Sequence, residues 1–246
     1  MSTLVKKPNI FIVGASGSGK STCLRNMPSA NTVIMNLENK SLPFKNLKQV
    51  PSKEDPNVMV MKPIITTNDF DTTQANVVEQ FIEKLSKWMS NPKVKTIVID
   101  SFTSLIEAIY RNANRMYSGF DVWKYYNEEI DKVVNLTKNS DKYIVWTGID
   151  MVIDGANGIE ERCIYVQGNQ WKKKVEKEFV IVLFTEAKDL GDTTKYQFIT
   201  NRKSNVTAKS PMDMLPLYMD NDLNEVIKKC DEFYGFSVPE QTTATA

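Results

Sequence analysis

Apolar residues recur along this chain in two rhythms. Short unbroken runs at Asn9–Val13 ("NIFIV"), Thr32–Asn36 ("TVIMN"), Thr96–Asp100 ("TIVID") and Tyr143–Thr147 ("YIVWT") predict strands buried on both faces. Between them, Val77, Val78, Phe81, Ile82, Leu85, Trp88 and Met89 share one side of a 3.6-residue period and predict an amphipathic helix. Further helices fit Leu105–Met116 and Lys124–Thr137. A short helix is expected from about Lys20 to Met27, where Pro28 disfavours helical geometry in the residue before it. Residues 38–72 hold Pro43, Pro51, Pro56 and Pro63 among many Asn and Lys, and read as mostly loop with one strand at Val58–Met61.

Past Thr147 the pattern changes. "ERCIYV", "EFVIVLF" and "KYQFIT" are strand-like, and the last two flank "EAKDLGDTT", a hairpin-type connection rich in turn formers. A last short helix fits Asp222–Phe236. Strands alternating with helices give an α/β class with a mainly parallel sheet flanked by helices, extended by antiparallel strands toward the C-terminus. One domain over residues 1–236 is expected, with residues 237–246 a disordered tail.

Composition narrows the chemistry more than the fold. The 246 residues are 41% hydrophobic and 25% charged, enough for a large core, and the net charge of +1 means that any polyanion must be met by local patches. No stretch of eighteen apolar residues appears, and "MSTLVKKPNI" lacks the apolar centre of a signal peptide, so no membrane partner and a cytoplasmic setting are expected. Cys23, Cys163 and Cys230 are scattered, without the spacing of a metal clip. Histidine is absent, which excludes imidazole acid–base chemistry, His-based triads and His metal sites.

"GASGSGKS" (Gly14–Ser21) fits the phosphate-binding pattern G-x-x-x-x-G-K-[ST], and it lies where the chemistry needs it, between a strand and a helix. Such a loop turns its amides inward around phosphates, so Gly14, Ala15, Ser16, Gly17, Ser18, Gly19, Lys20, Ser21 and Thr22 are the candidate nucleotide-binding residues. Lys20 would reach the β- and γ-phosphates, and Ser21 would offer its hydroxyl to Mg²⁺. The bland alternative is a pliable Gly/Ser turn with a solvated lysine. Asp100 ends a strand in "TIVIDS" and is the candidate carboxylate for Mg²⁺, against its reading as a turn residue. With no histidine, a carboxylate is the natural choice to orient the attacking water, and Glu38 in "VIMNLENKSLPF" follows the second strand; a solvent-facing acid would look the same.

"VIMNLENKSLP" resembles the segment of RecA-like recombinases in which a strand ends in a "D-x-E" stretch carrying the catalytic glutamate, and "TIVIDSFTSL" resembles the same family's Walker-B strand. The order of elements is similar from Asn9 to about Lys209, most of all to the compact, core-only RecA-like ATPases of bacteriophages. The resemblance implies a RecA-like P-loop fold and an ATPase that uses ATP and Mg²⁺. It also implies action on single-stranded DNA in recombination, annealing or repair, beside an annealing or single-strand-binding protein in the host cytoplasm. Glu38 and Lys20 would be catalytic, Thr147 would sense the γ-phosphate from a strand tip, and head-to-tail subunits would complete each other's sites. The departures are Asn36 where the family has an aspartate, Thr147 in place of an amide residue, and no polymerisation tether or separate DNA-binding domain.

Residues 162–209 hold ten Lys/Arg against five Asp/Glu, densest in "NQWKKKVEKEF". Trp171, Lys172, Lys173, Lys174 and Lys177 are therefore candidate DNA contacts, through base stacking and phosphate pairing, beside the plain reading of a solvated helix with Trp171 in the core. In "NRKSNVTAK", Arg202, Lys203 and Lys209 are candidates to reach a neighbour's γ-phosphate. The aromatic-rich "YRNANRMYSGFDVWKYY", with Arg111 and Arg115, reads mostly as packing of a helix onto the sheet. Two other functions stay open: a P-loop kinase of a nucleotide or small molecule, and a nucleotide-dependent switch or scaffold of low turnover.

Overall fold

The computed structural model describes residues 6–155 and 158–236. The apolar runs form strands as expected: β1 (Ile10–Val13), β2 (Thr32–Asn36), the later β6 (Thr96–Asp100) and β7 (Tyr143–Gly148). In the Pro-rich region, β3 (Lys48–Pro51) and β4 (Met59–Lys62) pair as a separate antiparallel ribbon, and β5 (Ile65–Thr67) joins the main sheet beside β2. Helices α1 (Val77–Met89), α2 (Phe102–Met116) and α3 (Phe120–Thr137) follow. Next come β8 (Asp150–Asp154) and β9 (Glu160–Ile164), a second separate ribbon, then β10 (Ile181–Asp189), β11 (Thr194–Ile199), β12 (Tyr218–Asp220) and α4 (Leu223–Phe233). The tail expected to be disordered lies outside the described residues.

The main sheet has eight strands in the order β12-β11-β10-β1-β7-β6-β2-β5. From β5 to β10 the pairs are all parallel, and only β11 and β12 run antiparallel, so the sheet is the mainly parallel α/β sheet expected. Alternation along each strand splits the core in two. Phe11, Val13, Ile97, Ile99 and Trp146 face α1, α2 and α3, whereas Ile10, Ile12, Val98 and Val145 face α4 and the segment after the glycine loop. Apolar residues on both faces explain why these strands read as continuous hydrophobic runs. Among the described residues no helix is long and apolar enough to cross a membrane.

The helix expected from Lys20 is much shorter than anticipated. Only Thr22–Asn26 is helical, as one stretch of 3-10 geometry, and Met27 is already extended (φ −64°, ψ 141°) ahead of Pro28. Cys23 and Leu24 are buried beneath it. So short a helix has little macrodipole.

Candidate functional site

Parallel pairing brings the carboxyl ends of β1, β7, β6 and β2 to one edge of the sheet, where ligands of open α/β sheets bind. Register sets the level: Ile12 lies beside Thr147, and Asn36 beside Asp100. The glycine loop leaves β1 at this edge, with Ala15, Ser16 and Gly17 exposed and Ser18 and Gly19 buried. Two of its glycines are required by geometry. A Cβ on Gly14 would lie 2.0 Å from Thr185 Oγ1, and Gly19 has φ +102° with Tyr196 Cδ1 at 2.8 Å from the same imagined atom. Thr185, on β10, donates to Val13 O at 3.1 Å and its hydroxyl is 2.5 Å from that of Ser18, which fastens the loop to the sheet.

Lys20 folds back over this loop. Its ammonium donates to Gly14 O at 2.7 Å and Ala15 O at 2.8 Å. Burial lowers its pKa from the ordinary lysine value, opposed by the negative charges of Asp100 and Glu38. Ser21 Oγ donates to Asp100 Oδ2 at 2.8 Å, joining the loop to β6 across the intervening strand β7. On β7 itself, Thr147 Oγ1 donates to Asp100 Oδ1 at 2.6 Å. The Asp100–Ser101 peptide is cis.

Glu38 is half-buried just beyond β2. Its Oε1 accepts from Ser101 Oγ at 2.8 Å and Ser104 Oγ at 3.3 Å, and its Oε2 lies 2.7 Å from Lys40 Nζ. Burial by itself would raise its pKa, but the hydrogen bonds from Lys40, Ser101 and Ser104 outweigh it and hold the carboxyl below its usual value. Ser101 is also the N-cap of α2, accepting from Ser104 N, so the helix start and the glutamate share one hydroxyl. Lys20, Ser21, Glu38, Lys40, Asp100 and Tyr196 together line a cleft of about 390 Å³.

The hydroxyl of Ser21 and the carboxylate of Asp100 are hard oxygen donors side by side, a set that suits Mg²⁺ completed by phosphate oxygens and water. The close contact of Gly14 with Thr185 and Ser18 holds the loop against β10, and an exposed turn at Ala15–Gly17 suits main-chain contact with phosphates.

Thr147 does not take the place expected for a residue that senses phosphate. It is fully buried, and its hydroxyl is spent on Asp100, so it orients the carboxylate and does not face the cleft. Trp171 is also corrected. It is 7% exposed and belongs to the apolar core with Val175 and Phe179, so most of its ring is taken up by packing. The surrounding segment is turns and one 3-10 stretch, Val175–Glu178, instead of a helix. Lys172 is half-buried and Lys173, Lys174 and Lys177 are exposed. Lys173 pairs with Glu161 at 2.8 Å and Lys177 with Glu178 at 3.4 Å. Asn9, at the opposite end of β1 from the loop, donates to Glu178 O, so Lys177 lies at the far edge of the sheet.

None of the three cations proposed to act in trans lines the cleft. Arg202 pairs with Glu161 at 2.7 Å, and Lys203 donates to the hydroxyl of Tyr218. Lys209 bridges Val182, level with Phe11, three residues and thus about 10 Å short of Gly14. Burial lowers its pKa, against Glu176 and Glu178. Arg115 donates to Thr73 O, and Tyr126 is fully buried, in keeping with the structural reading of that segment. The residues that sequence missed are Lys40, Ser101, Ser104, Thr185 and Tyr196. The capping pattern "DSFTS" carried a local signal for the two serines, whereas Thr185 and Tyr196 reach the loop only through strand pairing.

Over residues 6–212 the chain matches the family described as an AAA domain. Among curated proteins none matches it. Among solved structures, a KaiC-like protein from the hyperthermophilic archaeon Pyrococcus horikoshii OT3 is similar over 79% of this chain and 78% of that one, at 14% identity and a TM-score of 0.41.

Proposed function

This chain belongs to the AAA domain family, and on that footing we propose that it binds ATP with Mg²⁺ and hydrolyses it as a RecA-like ATPase acting on single-stranded DNA in recombination, annealing or repair. The convergence of Lys20, Ser21, Glu38 and Asp100, from four places in the sequence, on one cleft carries the reading. Lys20 and the loop amides hold the β- and γ-phosphates; the ammonium trades two carbonyl oxygens for phosphate oxygens of full charge, a stronger bond. Ser21 and Asp100 hold Mg²⁺, which when bound neutralises charge on the phosphates. Thr147 keeps Asp100 aligned and its Oδ1 satisfied. Glu38 accepts a hydrogen bond from the attacking water and turns its oxygen toward the γ-phosphorus. The bond from that phosphorus to the β–γ bridging oxygen breaks as the new one forms, the water's proton passes to Glu38 or a phosphate oxygen and then to solvent, and the products are ADP and inorganic phosphate.

Single-stranded DNA, a homo-oligomer with shared sites and an annealing or single-strand-binding partner belong to the same reading, as does a cytoplasmic setting. The exposed Lys174, for which no ion pair is seen among the described residues, supports the DNA part through charge alone, without base stacking by Trp171. The test is phosphate release from ATP with and without single-stranded DNA, with particle size followed in parallel. Stimulated release in an assembled particle is expected. Phosphate transferred to a small acceptor in place of water, or turnover indifferent to DNA, would overturn the hydrolytic or the DNA part respectively.

A further inference from the structure

The cleft holds a second ammonium that the phosphate-binding motif does not account for. Lys40 follows Glu38 by two residues, in the loop beyond β2, and lines the cleft with Lys20, Ser21 and Asp100. It also lines two hollows on either side of Glu38, one with Ser104 and Arg111 and one with Asn36 and Leu42. Its side chain is 76% exposed, and among the described residues its one ion pair is the 2.7 Å contact with Glu38 Oε2. Glu38 Oε1 is held by two serines. Both oxygens of the candidate water-orienting acid are therefore engaged, one of them by a cation on a long exposed stem.

An exposed ion pair of this kind is weak, and a triphosphate presents a denser negative charge to the same ammonium. Of the other cations considered for the developing charge, Arg202 and Lys203 are held by Glu161 and Tyr218, and Lys209, fixed by its main chain beside Val182, does not line the cleft. We propose that Lys40 is a further catalytic residue, which exchanges Glu38 for the γ-phosphate when ATP is bound. The exchange places a cation where charge develops and leaves Glu38 Oε2 to accept from the attacking water. With ADP bound, the ammonium stays on Glu38 and the acid stays capped. Lys40 thus distinguishes triphosphate from diphosphate from within its own subunit.

The inference rests on the ATPase reading, and the experiment separates the two. Binding of ATP and of ADP is measured with Mg²⁺ for the wild type, Lys40→Met and Lys40→Arg, together with kcat and KM for ATP. Lys40→Met should weaken ATP binding about tenfold, as loss of one charge-assisted bond implies, leave ADP binding unchanged and lower kcat. Lys40→Arg should recover most of the ATP preference. Equal losses for ATP and ADP, an unchanged ratio, or a rise in kcat in Lys40→Met would overturn the role of Lys40 while leaving the ATPase intact. A wild type that binds neither nucleotide would overturn the ATPase reading itself, and this one with it.

Discussion

Two polar regions of this molecule are alike in composition and opposite in organisation. At the tips of β1, β2, β6 and β7, Lys20, Ser21, Asp100 and Thr147 hydrogen-bond to one another or to the glycine loop, and Glu38 accepts from Ser101, the residue after Asp100. Along residues 171–178, four lysines follow a buried tryptophan, and the ion pairs of Lys173 and Lys177 are with the half-buried acids Glu161 and Glu178. The first set was singled out by spacing and the second by abundance. Spacing that serves one ligand forces side chains to converge, whereas an excess of one charge needs only solvent, and local acids satisfy it.

Removing the loop's ammonium should have the largest effect on this contrast. Lys20→Ala is expected to abolish detectable ATP binding in a titration, because it deletes a charged bond worth about 1.5–3 kcal/mol at each phosphate it reaches. Binding retained at wild-type strength would place the cleft on a level with the lysine run. Glu38→Gln comes next, with kcat expected to fall about 10²-fold or more while ATP still binds, as for the loss of a base that orients water. In the other region Trp171→Ala should cost about 3–5 kcal/mol of stability in denaturant unfolding, the signature of a core aromatic. A loss of DNA binding at unchanged stability would restore Trp171 as a stacking residue.

The smallest effect is one of pH, and its sign follows from burial. In the free protein the charged form of Lys20 is disfavoured, so kcat/KM should fall on the alkaline side below the ordinary lysine range. Bound phosphates favour that charge, so the alkaline limb of kcat should lie higher. Coincident limbs would mean that Lys20 does not meet the nucleotide.

Much of this arrangement was legible before any coordinates. The apolar runs named β1, β2, β6 and β7 nearly to the residue, because strands buried on both faces leave little room for another reading. The glycine loop, Asp100 and Glu38 were legible because each follows such a strand. The helix after the loop was overread, since apolar spacing does not reveal that its backbone tightens to 3-10 geometry ahead of Pro28. In the ribbons, β4 and β9 were legible as the strand at Val58–Met61 and as "ERCIYV", whereas their partners β3 and β8 and the edge strand β5 are short, and pairing stabilises them more than propensity does.

Local order along the chain was thus enough to establish an α/β protein with a phosphate loop and two acids at strand ends. Folding alone assigned Thr147 to Asp100 instead of to the cleft, put Trp171 inside, and set Lys40 against Glu38. The reason is that periodicity reports which side of its own element a residue occupies. Which partner it meets there depends on the strand and helix brought alongside, and those come from distant parts of the chain.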